Sequence, residues 1–270
     1  MARKGTSLIR RALVQSDRAF WCIHEHLDSL VLLAMPMVGC VLLAALASVL
    51  ILRTWEFPNW VNVLLGGIVL PLLSLLIFTV FPLPCAVFAW RLACGESATV
   101  RGCFAACAQR SGRLFSVVLR LILLWLFSLA LFGLPLLWIW PRTCLTPLVA
   151  LFEDQPRIFY RSRRILREDL AVYLLGSLYL AMAIVLAGVV YLPRFLLAFG
   201  ALGAHFVASN WSTVILQYLW IFEVLSTTLL LSALAVSWWI SLTLLYHEIR
   251  WVREGEDLRR RIFDVREALA

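Results

Sequence analysis

Long apolar runs alternate with short charged segments along this sequence of 270 residues. A helix needs about 20 consecutive apolar residues to cross a bilayer, and several runs approach that length. Residues 114–152 would form a helix of about 58 Å, too long for one crossing, and Gly133-Leu134-Pro135 is the natural break. The pattern predicts six membrane-spanning helices, at about 30–52, 61–81, 114–133, 136–152, 170–192 and 226–245.

Prolines mark the expected ends of two of these spans, because proline cannot continue a regular helix. Pro82 and Pro84 should stop the second span, and Pro193 should stop the fifth. The apolar stretch 194–222 is interrupted by glycines and polar residues. We expect it to lie on the outer face of the membrane or to dip into it.

Positive charge is confined almost entirely to the segments between the apolar runs. The chain has 24 Lys and Arg residues, and 20 of them lie in 1–29, 91–113, 153–169 and 246–270. An excess of Lys and Arg in short loops marks the cytoplasmic side of a multispan protein. Six spans place all four basic segments on that side, so we predict that both termini are cytoplasmic.

Composition narrows the class of protein. Hydrophobic residues make up 63% of the chain and the mean hydropathy is +0.90, which is more apolar surface than a water-soluble core can hide. We predict an all-α, polytopic membrane helix bundle in a bacterial cytoplasmic (inner) membrane. The net charge of +8 then follows from topology and attracts anionic headgroups at the cytoplasmic face. It does not indicate a nucleic-acid partner.

The same patterns divide the chain into three parts. Residues 1–29 carry charges throughout and lack a compact apolar core before a cleavage site, so we expect a retained cytoplasmic amphipathic segment and not a signal peptide. Residues 30–245 form the six-span membrane domain. Residues 246–270 form a charged cytoplasmic tail.

Apolar residues also recur at helical spacing inside the basic segments. This spacing predicts short amphipathic helices in the membrane interface, at 7–27, 97–113 and 155–167. We expect Ser97 to cap the second of these helices. Asp154 should cap the third, with Pro156 in its first turn.

Ionisable residues in or next to the predicted spans are candidates for function. Arg120 is close enough to the start of the third span to snorkel to the cytoplasmic headgroups. Glu223 lies near the outer end of the sixth span, where the alternative to a functional role is an interfacial acid satisfied by one arginine. Its candidate partners in an outer ion pair are Arg53, Arg142 and Arg194.

Three stretches of the chain carry a resemblance to a known family. The first is Gly95-Glu96-Ser97 followed by Arg110-Ser111-Gly112-Arg113-Leu114. The second is Pro147-Leu148-Val149-Ala150-Leu151-Phe152-Glu153 followed by Tyr160-Arg161-Ser162-Arg163-Arg164-Ile165-Leu166. The third is Leu245-Tyr246-His247-Glu248-Ile249-Arg250 followed by Arg253-Glu254-Gly255-Glu256-Asp257-Leu258. In this order they resemble a bacterial family of six-span membrane proteins of largely unknown function. The family is related to the membrane domain found ahead of some glycerophosphodiester phosphodiesterases.

The resemblance covers about residues 30–258 and implies a six-span fold more than an activity. This chain has His247 where the family usually has tyrosine, and Glu248 where the family has aspartate. Phosphodiesterase activity is not implied, because that catalytic domain is a separate soluble barrel of roughly 250 residues. This chain has neither the length nor the polarity to form one.

The exit from the last predicted span carries the strongest local motif. One hypothesis is a charged latch that ties this span to the arginine-rich helix 155–167, for example through Glu248 or Asp257. The alternative is a membrane stop signal, which needs the positive charges but not the acids. The candidate latch residues are Tyr246, Glu248, Arg250, Glu254, Asp257, Arg161, Ser162 and Arg164.

Residues that could support catalysis or metal binding are few. Cys103 and Cys107 share a predicted helix face but lack histidine or carboxylate partners at ligand spacing. Cys22 and His26 are four residues apart on a helix, and two ligands do not make a site. No HExxH, GxSxG or phosphate-loop motif is present. We therefore predict no enzyme activity, no metal and no cofactor.

Three classes of function remain for such a chain. We favour a non-enzymatic scaffold or partner-binding component that contacts anionic headgroups and other membrane proteins. The alternatives are a small transporter or permease-like subunit and a lipid-handling membrane protein. A water-filled polar cavity reaching the midplane would favour transport, whereas a closed apolar bundle with a conspicuous cytoplasmic surface would favour the scaffold.

Overall fold

The computed structural model describes residues 2–54, 70–130, 139, 143–154, 156–168, 171–203, 211–253 and 255, and every regular element in these ranges is helical. A π-helical turn, Ile249–Arg253, continues the last helix. The helices are α1 (Ala2–Glu25), α2 (Leu27–Thr54), α3 (Leu70–Val80), α4 (Leu83–Ala93), α5 (Val100–Gln109), α6 (Ser111–Ala130), α7 (Thr146–Phe152), α8 (Ile158–Glu168), α9 (Ala171–Gly203) and α10 (Trp211–Glu248).

Four helical segments in the described ranges are long and apolar enough to cross a membrane. They are Leu27–Ala44, Leu76–Ala93, Ala171–Val190 and Leu225–Trp251. The all-helical class is therefore confirmed, and the chain has the make-up of a multi-pass membrane protein. These segments correspond to the first, second, fifth and sixth predicted spans, and the second lies further along the chain than 61–81.

The second segment, Leu76–Ala93, extends beyond the prediction because Pro82 and Pro84 break the helix without ending the helical run. Helix α3 ends at Val80 as expected, but Pro84 lies in the first turn of a new helix, α4. Proline is tolerated there because the first N–H groups of a helix have no partner within it. The run therefore continues beyond the break, and residues 83–89 of α4 are all buried.

The break leaves one carbonyl that another helix satisfies. In a regular helix the carbonyl of Phe78 would accept from the N–H of residue 82, but Pro82 has none. The indole Nε1–H of Trp239, on α10, donates to the Phe78 carbonyl oxygen at 3.0 Å. Since an unpaired backbone group is costly in an apolar interior, this hydrogen bond fixes α10 against the kink.

The C-terminal end of α4 closes on a glycine. Gly95 has φ of +74°, a left-handed conformation that favours glycine. Its N–H donates to the Leu92 carbonyl at 3.0 Å, and the N–H of Glu96 donates to the Arg91 carbonyl at 2.9 Å. This double hydrogen bond is the Schellman motif, which satisfies the last carbonyls of the helix.

The fourth predicted span, 136–152, contains a short helix at its C-terminal end. Helix α7 has seven residues with Pro147 in its first turn, and residues 146–151 are buried. It packs against α6 and α8. Buried polypeptide of this kind is tolerated at membrane depth when protein surrounds it.

The prediction that Pro193 ends the fifth helix was wrong, because α9 continues through Pro193 to Gly203. Proline removes one backbone hydrogen bond, and a long membrane helix absorbs that loss when neighbouring helices pack against it. Helix α10 begins at Trp211, so much of the expected outer segment 194–222 is helical. Residues 204–210 lie outside the described ranges.

Two expected helix caps were also wrong. Thr99, and not Ser97, caps α5, with its side-chain oxygen accepting from the N–H of Gly102 at 3.2 Å. Helix α8 begins at Ile158, so Asp154 lies too far upstream to cap it, and Pro156 precedes the helix. The carboxylate of Asp154 instead contacts arginines at the junction of α5 and α6.

Helix α10 is the centre of the bundle. It packs against α1, α2, α4 and α9. Its contact with α9 is polar at one point, where the Tyr179 hydroxyl lies 2.7 Å from the hydroxyls of both Ser237 and Ser241. Small side chains let neighbouring helices approach closely, and this hydrogen-bonded group fixes the register of α9 on α10.

Candidate functional site

The end of α7 places a carboxylate inside the protein. Glu153 follows the last residue of α7 with an extended backbone, and its N–H donates to the Val149 carbonyl at 2.9 Å. The apolar residues of α7 are buried, so the residue that follows them is drawn into the same interior. The Glu153 side chain is 4% exposed, and a buried charge needs partners.

Three side chains from three other elements converge on this carboxylate. The Tyr246 hydroxyl, on α10, donates to Oε1 of Glu153. Arg161, on α8, donates from Nε to Oε2 at 3.2 Å. The Nε of Arg250, in the π-helical turn, lies 3.9 Å from Oε1. We call Glu153, Tyr246, Arg161 and Arg250 the Glu153 cluster.

Aromatic rings cover the cluster on the side of α4. The rings of Trp90 and Phe152 stack at a centroid distance of 4.4 Å, and the guanidinium carbon of Arg250 lies 5.7 Å from the centre of the Trp90 ring. His247 packs edge-on against Trp90 at 5.1 Å. A cation over an aromatic face is stabilised electrostatically, more so when water is excluded.

The charges of the Glu153 cluster decide what it can do. One carboxylate faces two guanidinium groups that are each 15% exposed, so each arginine remains in contact with solvent while the acid does not. The carboxylate oxygens are occupied by protein donors, an arrangement that fixes helix ends. Next to the cluster, the buried Thr146 hydroxyl donates to the Ser162 hydroxyl at 3.3 Å, which also ties α7 to α8.

A second ion pair joins the N-terminal helix to the last helix. Arg11 lies 2.9 Å from Oε1 of Glu248. Gln15, one turn along α1, donates to Oε2 at 2.6 Å. Both members of the ion pair are about one quarter exposed, so the pair fixes the position of α1 more than it stabilises the fold.

A third group of charges links α6 to the segment after α7. Asp154 lies 3.2 Å from a guanidinium nitrogen of Arg110 and 3.3 Å from one of Arg113. Its side chain is 83% exposed. Asp154 thus differs from its neighbour Glu153 in exposure, although each contacts two arginines.

The structure distributes the candidate latch residues over two of these groups. Tyr246, Arg250 and Arg161 meet at Glu153, which is not among the predicted latch residues. Glu248 contacts Arg11 and Gln15 of α1, and no contact with helix 155–167 occurs among the residues that the structure describes. Ser162 lies beside the cluster through Thr146, and Arg164 lies on the exposed side of α8. Glu254 and Asp257 lie outside the described residues.

The sequence does contain a feature that singles out Glu153. It is the first acid after a long apolar run and belongs to the second family-like stretch. Its partners are far away in sequence, because Tyr246 follows it by 93 residues. Hydropathy and charge spacing do not reveal such a contact.

The outer ion pair stays a prediction. Glu223 lies on α10 and is buried. The side chains of its candidate partners Arg53, Arg142 and Arg194 lie outside the described residues.

Three cysteines on α1 and α5 have raised pKa values. Burial, with a smaller effect from the charge of Glu25, raises the pKa of Cys22 to about 11. Burial also raises the pKa of Cys107 to about 12 and raises that of Cys103. Metal binding requires the thiolate. Among the described residues there is no group of three His, Cys, Asp or Glu side chains that could hold a metal ion.

A cavity of about 320 Å³ lies between α3, α6, α9 and α10, and its walls are mainly aromatic and aliphatic. Phe78, Leu121, Trp238 and Trp239 line it, and the Tyr179 side chain contributes a hydroxyl that already contacts two serines. Ion and polar-solute pathways need many polar lining groups. This cavity does not have the lining of such a pathway.

Comparison with protein-family models, curated proteins and solved structures gives no significant match. The resemblance to the six-span family therefore stays a prediction.

Proposed function

We propose that this chain is a six-span protein of a bacterial cytoplasmic membrane, with both termini on the cytoplasmic side, that acts without catalysis as a scaffold or partner-binding component. We include membership of the six-span family in this proposal. The observation that carries it is a set of contacts joining the four arginine-rich segments. These contacts are Arg11 with Glu248, Arg110 and Arg113 with Asp154, and Arg161 and Arg250 with Glu153.

Contacts of 4 Å or less require that the segments lie on the same side of the bilayer, so the chain between them must cross an even number of times. Arg113, in the first turn of α6, contacts Asp154, which lies just beyond α7. This supports an out-and-back path through 114–152, as two spans would give. Arg161, on α8, and Arg250, after α10, share one carboxylate. That arrangement supports a second out-and-back path through α9 and α10.

The way in which the polar groups are used supports the scaffold role. The acids of the Glu153 cluster and the α1–α10 pair are occupied by protein partners. Other arginines of the same segments, such as Arg101 and Arg163, are exposed. A rigid surface with excess positive charge suits an acidic face of a partner protein or anionic headgroups.

The topology is tested by cysteine labelling. Arg163→Cys in a cysteine-free background should react with a membrane-impermeant maleimide only after the cytoplasmic face has been opened, because residue 163 lies in a basic segment. Labelling of intact cells or spheroplasts at position 163 would overturn the topology.

The scaffold role is tested by affinity capture of the intact protein from membranes in mild detergent. A partner held by the positive surface should be lost with Arg101→Glu/Arg163→Glu and retained with Leu119→Ala, a substitution on the exposed apolar side of α6. Equal recovery of that partner by both variants would contradict the proposed surface. A hydrated channel lined by four or more spans would promote the transporter alternative.

One observation favours lipid handling as a second function. An apolar groove of about 480 Å³ opens between α1, α2, α9 and α10, lined by residues such as Phe20, Met35, Leu186 and Leu229. Such a groove can hold an acyl chain through the hydrophobic effect. Ala233→Trp should fill it and reduce the lipid that copurifies, as measured by mass spectrometry. Unchanged lipid content would remove the support for this function.

A further inference from the structure

Helix α6 carries an arginine in an exposed position among apolar residues. Arg120 follows Arg113 by two helical turns, about 10 Å along the axis. It is exposed, as are its neighbours Leu119 and Leu123. No ion pair or hydrogen bond to Arg120 occurs within the described part of the chain. A charged group at this depth calls for a polar partner.

Arg120 opens onto a notch at the side of the bundle. The notch has a volume of about 420 Å³ and lies between α6 and the segment that leads into α8. Its walls include the polar residues Arg113, Ser116, Arg120 and Asp154 and the ring of Phe159. The volume lies within the range of about 300–1,000 Å³ that small-molecule sites occupy.

The charge of the notch is positive. Arg113 and Arg120 both line it, and Arg110 contacts the same carboxylate as Arg113. Asp154 is the one acid in the group. Arginine recognises phosphate oxygens through paired N–H donors, and the exposed Ser116 hydroxyl lies between the two arginines on the same helix face.

An apolar stripe continues the same face of α6 away from the notch. Positions 116, 120, 123 and 127 follow one another at spacings of four, three and four residues, so they lie along one side of the helix. Leu123 is 57% exposed and Phe127 is 65% exposed. Ser116 and Arg120 occupy the half of this helix face near the basic segments. Leu123 and Phe127 form the apolar half, which runs into the predicted span.

We infer that this face of α6 binds one anionic phospholipid, with its phosphate in the notch between Arg113 and Arg120 and an acyl chain along Leu123 and Phe127. The combination of a cationic notch and an apolar stripe on one helix face matches a phosphate ester joined to a hydrocarbon chain. The inference rests on the membrane placement of α6 in the proposed function, but it does not depend on the scaffold role or on sidedness.

The test is lipid titration of the purified full-length protein in detergent, followed by native mass spectrometry. Phosphatidylglycerol should remain bound to the parent, and phosphatidylcholine should bind at least several-fold more weakly. Arg120→Gln should weaken phosphatidylglycerol binding by about three- to tenfold, the loss of one charge-assisted contact at a partly exposed site. Arg18→Gln removes the same charge from an exposed position on α1, away from the notch, and should leave binding unchanged.

A second variant separates a lipid from a soluble phosphate. Phe127→Gln should weaken phosphatidylglycerol binding and leave any binding of glycerol phosphate unchanged, because it alters only the apolar half of the stripe. Equal affinity of parent and Arg120→Gln would overturn the site, as would glycerol phosphate that binds as tightly as the lipid. Thermal unfolding of each variant shows that it is folded. Labelling of residue 163 in intact cells or spheroplasts would count against the proposed topology alone and not against this site.

Discussion

The Glu153 cluster predicts a sharp difference between two adjacent acids. Glu153→Gln keeps the shape of the side chain but removes the charge that neutralises Arg161 and Arg250. Breaking a buried ion pair costs about 3–5 kcal/mol. Both arginines are 15% exposed, so water partly solvates the charges left without the carboxylate. We therefore expect a loss of stability at the lower end of this range, about 3 kcal/mol. At about 2–4 °C per kcal/mol, the Tm should fall by roughly 6–12 °C.

The neighbouring residue supplies the control. Asp154 also contacts two arginines, but its side chain is 83% exposed, and exposed ion pairs contribute about 0–1 kcal/mol. Asp154→Asn should therefore change the Tm by only a few degrees at most. The assay is thermal unfolding of purified protein in one detergent, followed by circular dichroism or intrinsic tryptophan fluorescence.

A double substitution tests whether Glu153 and Tyr246 act as one unit. Tyr246→Phe removes the hydroxyl that donates to Glu153, and a hydrogen bond to a charged group contributes about 1.5–3 kcal/mol. Because both substitutions break the same contact, Glu153→Gln/Tyr246→Phe should lose less than the sum of the single effects. Strict additivity, or an Asp154→Asn variant as unstable as Glu153→Gln, would refute the assignment of Glu153 as the structural acid.

Three further predictions concern other parts of the structure. Trp239→Phe should lower the Tm by about 2–6 °C, because the Phe78 carbonyl loses its donor; an unchanged Tm would contradict this role. Gly95→Ala should destabilise the protein by about 1 kcal/mol, since alanine is strained at φ of +74°, and chemical denaturation measures the change. The pKa of Cys22 is raised from 9.0 to about 11, so its alkylation by iodoacetamide should stay slow at pH 9 and accelerate toward pH 11. The stability that this raised pKa contributes is present below pH 9 and is lost as the pH rises toward 11; rapid labelling at pH 8 would be inconsistent with a buried thiol.

The short helices show where sequence patterns stop being sufficient. The helix break at Pro82 was correctly predicted from proline chemistry, but the same rule failed at Pro193. At Pro82 the chain turns into α4 and Trp239 satisfies the freed carbonyl, whereas α9 continues to Gly203. A local rule states the cost of a proline, and at Pro82 a side chain from another helix meets part of that cost.

For the candidate site, the sequence indicated several of the residues but not all of their contacts. The sequence singled out Tyr246, Arg250 and Arg161, because they lie where a charged tail and an arginine-rich helix meet the predicted membrane interface. It assigned Glu248 to the arginine-rich helix, and the structure pairs Glu248 with Arg11, 237 residues earlier. Nothing in a short window of sequence indicates that α1 packs on α10.

Local sequence thus determined the helical class, the apolar segments and the grouping of positive charge, because hydropathy and charge are properties of windows of about 20 residues. Tertiary structure alone decided which acid is buried. Glu153 and Asp154 are adjacent acids, yet Glu153 lies inside against a tyrosine hydroxyl and two guanidinium groups, whereas Asp154 lies in solvent. The reason is geometric: the buried helix α7 ends at Phe152, and α8 and α10 bring Arg161, Arg250 and Tyr246 to the side on which Glu153 faces inward.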